Sequence, residues 1–339
     1  MNPPEPPVPF KPPLVLRSAR LQTVLASFSW RGFDKSPLLS AAVGKEIRTA
    51  DGVRLTGSYS STGTGRPRAL MILLHGWEGG IDSTYILSAG DFFFRHGLDV
   101  FRLNLRDHGR SHHLNRGLFY STLLEETHAA VMQAAAAAGR PAVYLCGFSL
   151  GGSFALRIAR RFSQAPDPRV DLRHVVAVSP VLNPSRSTEA IDRHPLLRRY
   201  FIRKWRRSLR IKQRCFPDLY DFGDILTQGS ILRITESLLA RYSAYNSAEA
   251  YFGDYNLCGQ ALAPIEVPTT IIAAADDPII PVDDFYNLQL PRSVRLIIHR
   301  HGGHNGFVAD WAGRRWHERF ILDLVRNGAA TGCTPRTPR

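Results

Sequence analysis

The sequence predicts an α/β protein whose central sheet is mostly parallel and is flanked by helices, with a helical insertion before the last strands. Short apolar runs typical of buried strands alternate with amphipathic helical stretches from residue 68 to residue 182. The alternation then stops, and it resumes at "PTTIIAAADD", residues 268–277. Because strands that alternate with helices along a chain form parallel sheets, both faces of this sheet should be covered by helices.

Each element of the first part follows from its residue pattern. "EIRTADGVRLTGSYS" alternates like a β-hairpin, and "RALMILLHG" is typical of a buried strand. "TYILSAGDFFFRHG" predicts a helix that ends at Gly97, and "TLLEETHAAVMQAAAAAG" predicts one that ends at Gly139. The other predicted elements are a strand that runs into a loop at 98–111, a strand at 142–147, a helix at 151–162 and a strand at 172–180.

The second part completes the sheet with the strands "PTTIIAAADD" and "VRLIIHRHGG" and the helix "ADWAGRRWHERFILDLVRN". The intervening stretch is rich in arginine, aromatic residues and helical patterning, which indicates a cap over the carboxyl edge of the sheet. The predicted organisation is a proline-rich arm at 1–40, a first core part at 41–182, a helical cap at 183–262, a second core part at 263–326 and a disordered tail at 327–339.

The composition is that of a globular chain. Its 339 residues are 44% hydrophobic, which is enough to bury a sizeable core. No apolar run is long enough to span a bilayer, and no secretory signal pattern is visible, so a cytoplasmic location is expected. The four cysteines are scattered without a C-x-x-C pair, which predicts reduced thiols and neither a disulfide framework nor a structural metal site.

The candidate nucleophile is Ser149, in "LCGFSLGG" between a predicted strand and a predicted helix. A strand, a tight glycine-flanked turn and a helix form the context in which a G-x-S-x-G serine is lifted out of the sheet. Gly147 and Gly151 leave space that a side chain would fill. Since a serine hydroxyl is a weak nucleophile at neutral pH, a nucleophilic role for Ser149 requires a base and a carboxylate that orients this base.

Downstream segments supply both groups. His304 in "HRHGGHNGF" is the favoured base because two glycines place it in a loop after a strand, whereas His299 and His301 are alternatives within or at the end of that strand. In "IIAAADDPIIP", Asp277 is the favoured acid from its spacing to the following proline, and Asp276 stays an alternative. Ser149, Asp277 and His304 are therefore the predicted catalytic residues.

An oxyanion hole needs two backbone donors, predicted here to be the N–H groups of Leu150 and of Trp77 in "LLHGWEGG". His75 in the same segment is interpreted as a structural residue that anchors this loop. "RDHGRSHHLN" holds three histidines, but its glycine and loop context disfavour a metal site. It is expected to pack beside the nucleophile turn, with Asp107 and Arg110 in a structural hydrogen-bond network.

These segments resemble the α/β-hydrolase superfamily, in which the chain order is also serine, acid, histidine. The finer resemblance is to the YheT-like esterases, which are related to embryogenesis-associated and abhydrolase-domain hydrolases. It rests on "LRSARLQTVLASF", "LLHGWEGG", "GFSLGG", "DDPIIP" and "GGHNGF". "RDHGRSHHLNRGLFYS" departs from that family and is similar to the RGHGxS stretch of monoglyceride lipases. The resemblance implies hydrolysis of carboxylic esters, including lipid esters, by this triad and without a cofactor.

The sequence thus predicts a serine ester hydrolase that forms an acyl-enzyme. A thioesterase or acyltransferase on the same triad is one alternative, and a non-catalytic binding protein on a hydrolase scaffold is another. The formal net charge of +14 comes almost entirely from arginine and indicates non-specific attraction to anions, so nucleic acid is not the expected partner.

The basic residues concentrate in "RHPLLRRYFIRKWRRSLRIKQR", residues 193–214, where apolar side chains lie between them. One interpretation is a helix with a solvated basic face and an apolar face on the core. The other is a peripheral contact with an anionic membrane or with an acidic substrate head group. The aromatic stretches "FYST" and "YFGDY" are candidates for lining an acyl pocket, and core packing explains them equally well.

Overall fold

The computed structural model describes residues 9–28, 33, 35–63, 69–139 and 142–331. Its centre is a sheet of eight strands in the order β1-β2-β4-β3-β5-β6-β7-β8. Their bounds are β1 Ala42–Arg48, β2 Arg54–Ser60, β3 Ala69–Leu74, β4 Asp99–Asn104, β5 Ala142–Phe148, β6 Asp171–Val178, β7 Thr269–Ala274 and β8 Val294–His299. Only the pairs that include β2 are antiparallel, and every pair from β4 to β8 is parallel.

Helices cover both faces of the sheet, as the alternating pattern predicts. All six residues of β3 and of β7 are buried, because parallel strands between two helical layers have no solvent-facing side. The helices of the core are α3 Thr84–Arg95, α4 Leu124–Ala137, α5 Leu150–Gln164, the short α10 Asp283–Tyr286 and α11 Trp316–Thr331. The predicted α/β-hydrolase fold is therefore confirmed.

The chain between β6 and β7 forms the helical cap. Its helices are α6 Pro184–Arg193, α7 Pro195–Cys215, α8 Ile231–Tyr242 and α9 Ala248–Gly253. The start of α7 is well encoded, because the His194 side chain accepts the N–H of Leu197 and a proline occupies the first turn. The helices α6, α8 and α9 are capped in the same manner by the side chains of Asn183, Ser230 and Ser247, each of which accepts a backbone N–H of the first turn.

A buried ion pair joins the cap to the loop that follows β4. Nζ of Lys212, on α7, donates to Oδ1 of Asp107 at 2.8 Å and to the carbonyl oxygens of Asn115 and Gly117 at 2.6 and 2.8 Å. The prediction that Asp107 and Arg110 share a network is half wrong. Asp107 is bound by Lys212 and by the N–H of Phe119, whereas Arg110 is exposed to solvent and makes no ion pair within the described ranges.

The arm before the core contributes the helices α1 Ala19–Ser27 and α2 Pro37–Ser40. Gln22 joins α1 to the segment between β8 and α11, since Nε2 donates to the Val308 carbonyl at 3.0 Å and Oε1 accepts the Val308 N–H at 2.8 Å. Residues 1–8, 29–32 and 34 of the predicted arm lie outside the described residues.

The prediction of a disordered tail from residue 327 is wrong at its start, because α11 continues through Thr331. The tail residues 332–339 lie outside the described residues and include Cys333. Cys146, Cys215 and Cys258 form no disulfide within the described residues. Within the described ranges no helix combines the length and the hydropathy needed to cross a bilayer, and the cytoplasmic location stays a prediction.

Candidate active site

Ser149 lies in a strained turn between β5 and α5. Its φ of 56° and ψ of −119° place the backbone where a non-glycine residue is rarely found. The Ser149 N–H donates to the Val178 carbonyl on β6 at 2.9 Å, and the Ser149 carbonyl accepts the N–H of Ser153 at 3.0 Å. The backbone is held on both sides of the strained residue, so the serine side chain is presented at the carboxyl edge of the sheet.

His304 follows β8, and its imidazole is oriented by Asp277. Nδ1 of His304 donates to the carboxylate of Asp277, at 2.9 Å from Oδ2 and 3.2 Å from Oδ1. Oδ1 of Asp277 also accepts the N–H groups of Ile279 and Ile280, at 2.8 and 3.0 Å. Because Nδ1 is engaged as a donor, Nε2 is left as the basic nitrogen.

The alternative acid, Asp276, has a different partner. Its Oδ1 accepts the N–H of Gly303 at 2.9 Å, and its Oδ2 lies 3.6 Å from Nδ1 of His301. His299 stacks edge-on against Trp316, and burial lowers the pKa of its imidazole to about 4. The structure therefore pairs Asp277 with His304 and separates both from the alternative residues.

A cavity of about 220 Å³ is lined by both Ser149 and His304, which brings the candidate nucleophile and base together. The arm forms one wall of it through Thr23, whose Oγ1 accepts the His304 N–H at 3.0 Å. Gly303 fits only as glycine, since a Cβ there would lie 2.5 Å from the Ala19 carbonyl oxygen and its φ is +53°. The histidine loop is thus packed directly against α1.

The predicted oxyanion donors border the serine. Within the described residues, the N–H groups of Trp77 and Leu150 have no hydrogen-bond acceptor. The preceding residue, Gly76, is close enough that a Cβ on it would lie 3.0 Å from Cβ of Ser149. Its N–H donates to the Tyr85 hydroxyl at 2.9 Å, which fixes the loop. Two free donors next to the serine are what a developing oxyanion requires.

The cap helix α7 contacts the same loop. The indole of Trp77 is stacked on Phe201, with ring centroids 5.4 Å apart, and meets Trp205 edge-on at 4.9 Å. These contacts couple the position of the Trp77 backbone to the placement of α7.

The histidines near the serine are structural. Nδ1 of His75 donates to the Gly76 carbonyl at 2.8 Å and Nε2 accepts the Leu105 N–H at 3.1 Å, while burial lowers its pKa to about 4. Nε2 of His108 accepts the N–H of Glu78 at 3.1 Å. In the part of the chain that the structure describes, no three His, Cys, Asp or Glu side chains are grouped to hold a metal ion.

A second cavity, of about 130 Å³, extends from Ser149 beneath the cap. Aromatic and aliphatic side chains dominate its wall. They include residues of both predicted aromatic stretches, namely Phe119, Tyr120, Tyr251, Phe252 and Tyr255, and the cap residues Ile191, Leu209, Ile231, Leu238 and Leu239. Ser149 stands where the two cavities meet, so a substrate can extend from it in two directions.

Glu78 places an ionisable group on the wall of the apolar cavity. Its φ of 54° and the bond from its N–H to His108 fix its backbone. Burial raises the pKa of the Glu78 carboxyl to about 8, and the nearby Lys204 only partly opposes this effect. A carboxyl group with this pKa is mostly protonated at pH 7.

Sequence reasoning missed several of these contacts. Glu78 and Trp205 were not singled out, and neither were Gln22 and Thr23 of the arm. The arm residues could have been suspected from "LQTVLASF", a helical stretch with polar residues on one side, but their partner lies almost a whole chain length away. Lys212 was indistinguishable from the other basic residues of its segment.

Comparisons with known proteins agree with this architecture. A model of the alpha/beta hydrolase family matches residues 71–314. Monoacylglycerol lipase ABHD2 of Homo sapiens is 30% identical over 94 residues, which cover 26% of this chain and 21% of that protein. The match thus spans about a fifth of the length of this curated relative.

Two solved structures share the fold over most of the chain. Esterase Pf2001 of Pyrococcus furiosus is 16% identical with a TM-score of 0.53, covering 88% of this chain and 94% of that one. The 2,6-dihydroxy-pseudo-oxynicotine hydrolase is 18% identical with a TM-score of 0.56, covering 88% and 71%. At these identities the likeness speaks for the fold alone. The family model, by contrast, matches well over half of the sequence, and the chain therefore belongs to the alpha/beta hydrolase family.

Proposed function

We propose that the protein is a serine hydrolase that cleaves carboxylic esters through an acyl-enzyme. The observation that carries the proposal is the convergence of three features at Ser149: its strained turn, the His304–Asp277 pair in the cavity that Ser149 also lines, and the two free backbone donors of Trp77 and Leu150. Within the family, the "HGWEGG", "GFSLGG" and "GGHNGF" segments favour the YheT-like esterases.

In the first half of the reaction, Nε2 of His304 takes the proton of the Ser149 hydroxyl as Oγ attacks the ester carbonyl. The N–H groups of Trp77 and Leu150 bind the oxyanion, and removal of one such donor lowers the rate by about a hundred- to a thousandfold. The protonated His304 then gives its proton to the departing alcohol, which leaves the acyl group on Ser149.

In the second half, His304 deprotonates a water molecule that attacks the acyl-enzyme, and Ser149 is released with its proton restored. Asp277 holds Nδ1 throughout and stabilises the imidazolium that forms in each half. The apolar cavity beneath the cap suits the acyl chain, and the cavity at His304 suits the alcohol and the incoming water.

A fluorophosphonate probe tests the nucleophile. It should label the wild type and not Ser149→Ala, because the probe reacts only with an activated serine. Ser153→Ala is the matched control, since Ser153 lies one turn further along α5 and is buried, and this variant should label like the wild type. Equal labelling of Ser149→Ala would refute the assignment.

The substrate class is tested with nitrophenyl esters of increasing chain length beside a thioester. Hydrolysis of the esters with a preference for chains that fill the apolar cavity is the expected result. Faster turnover of the thioester would replace the esterase assignment with a thioesterase. A folded wild type that neither labels nor turns over any ester would indicate a binding protein.

The pH dependence of kcat/KM should show the ionisation of the Glu78 carboxyl. Because its pKa is raised to about 8, the carboxyl is neutral below that pH and becomes a carboxylate above it, next to the oxyanion donor Trp77. The new negative charge opposes the oxyanion, so kcat/KM of the wild type should fall above pH 8 relative to Glu78→Gln, by about tenfold. Below pH 7 the two enzymes should run parallel.

Asp82→Asn is the control for this profile. Asp82 belongs to the same loop but its side chain is 80% exposed, so its neutralisation should leave the alkaline limb unchanged. An alkaline limb identical in the wild type and Glu78→Gln would show that Glu78 does not titrate in this range.

A further inference from the structure

The solvent-facing side of α7 is a stripe of uncompensated positive charge. Its exposed arginines recur at helical spacing, at Arg199, Arg203, Arg207, Arg210 and Arg214. The helix contains no acidic residue, and none of the five arginines pairs with a carboxylate in the described part of the chain. A face of this kind attracts an extended anionic surface.

Exposed apolar side chains lie at the amino-terminal end of α7 and on the arm. At the amino-terminal end of α7, Leu196 is 72% exposed and Tyr200 is 46% exposed. On the arm, Val24 of α1 is 59% exposed and Phe28, which follows α1, is 58% exposed.

Both elements belong to the wall of the same cavity. Its lining includes Thr23, Ala26 and Ser27 from α1 and Leu197, Tyr200 and Lys204 from α7. Of the exposed apolar residues, Tyr200 itself lines this cavity, and Leu196, Val24 and Phe28 each adjoin a lining residue in the sequence.

We propose that these residues form one docking surface for an anionic lipid bilayer. The arginines of α7 contact lipid phosphates, and Leu196, Tyr200, Val24 and Phe28 enter the interface around the cavity mouth. A lipid ester then passes from the bilayer to Ser149 without crossing water. This last step rests on the proposed function, whereas the binding itself does not.

The exposed apolar side chains favour a bilayer over a nucleic acid as the partner. A phosphate backbone would use the arginines but would leave Leu196 and Phe28 in water, whereas a bilayer accommodates both kinds of side chain. Each basic residue near an anionic lipid surface strengthens binding by about fivefold, so the five arginines together are sufficient to hold the protein there at moderate salt.

Vesicle sedimentation tests the surface on a Ser149→Ala background, in which lipid turnover plays no part. The protein should sediment with vesicles of phosphatidylcholine and phosphatidylglycerol and not with phosphatidylcholine alone. Adding Arg203→Glu, Arg207→Glu and Arg210→Glu should lower the partition coefficient by at least about a hundredfold. Leu196→Ser with Phe28→Ser should lower it by about tenfold and leave retention of duplex DNA unchanged.

The control is a second triple variant with the same change in net charge. Arg292, Arg319 and Arg326 are exposed on other elements, and their change to glutamate should lower the partition coefficient by less than about threefold. Equal loss in the two triple variants, or no binding to phosphatidylglycerol, would overturn the proposal. If the protein bound duplex DNA more tightly than the vesicles, and if Leu196→Ser with Phe28→Ser left that binding unchanged, the face would be assigned to nucleic acid instead.

Discussion

Asp277→Asn should lower kcat for ester hydrolysis by about ten-thousandfold while the fold stays intact. An asparagine retains an oxygen that can accept the N–H groups of Ile279 and Ile280, so the turn after β7 survives. Its amide nitrogen, however, then faces Nδ1 of His304. The imidazole must present an acceptor there and carry its proton on Nε2, where it can no longer take the proton of Ser149.

The neighbouring Asp276 provides the matched control. Asp276→Asn makes the same chemical change one residue away, at a carboxylate that binds the N–H of Gly303 and not the His304 ring. Its kcat should stay within about fivefold of the wild type, with both variants checked by circular dichroism and thermal unfolding. A loss in Asp276→Asn as large as that in Asp277→Asn would show that the sequence spacing had selected the wrong acid.

The fold could be predicted because its signals are local. Runs such as "ALMILL" and "VYLC" are buried on both faces, and glycines such as Gly97 and Gly139 adopt positive φ where the preceding helix ends. The helix α11 was predicted to end too early, because Gly328 disfavours a helix by about 1 kcal/mol although the alanines that follow favour one. Tertiary packing decides such a boundary, and packing is not visible in a local pattern.

The candidate site divides in the same way. Ser149, Asp277 and His304 each stand in a short segment whose glycines or prolines indicate a turn after a strand, and the structure brings all three together. The Thr23 hydroxyl accepts the N–H of His304, which lies 281 positions away in the sequence. No local spacing predicts such a contact. Lys212 looks like its basic neighbours until the helix is placed and that position faces inward onto Asp107.

The role of the aromatic cap residues was undecidable from sequence for a related reason. Phe201 and Trp205 recur at a spacing that suits core packing as well as a site. Only the position of α7 over the loop that follows β3 shows that they contact Trp77. A cap inserted between two strands has no fixed relation to the sheet in the sequence, so what lies beneath it must be read from the structure.

Gly147→Ala should destabilise the protein by about 4 kcal/mol or more and abolish fluorophosphonate labelling. A Cβ at this position would lie 2.0 Å from the carbonyl oxygen of Gly151 and 2.8 Å from the nitrogen of Gly152, all backbone atoms at the start of α5. The start of α5 cannot shift away toward β3, because Gly151 already packs against that strand: a Cβ on Gly151 would lie 2.4 Å from the carbonyl oxygen of Leu74. Relief therefore requires the Ser149 turn itself to move.

Alanine substitutions at two further glycines provide a comparison, because their losses of stability in urea and thermal unfolding should be smaller than that of Gly147→Ala. Gly152→Ala meets Pro180 at 3.1 Å, a contact that small shifts can relieve, so its loss of stability should be intermediate. Gly44→Ala on the edge strand β1 meets nothing within 4 Å and should stay within about 0.5 kcal/mol of the wild type. If Gly147→Ala unfolded like Gly44→Ala and still reacted with the probe, α5 would have to be free to move away from β5. The tight crossing that lifts Ser149 out of the sheet would then not be what holds it in place.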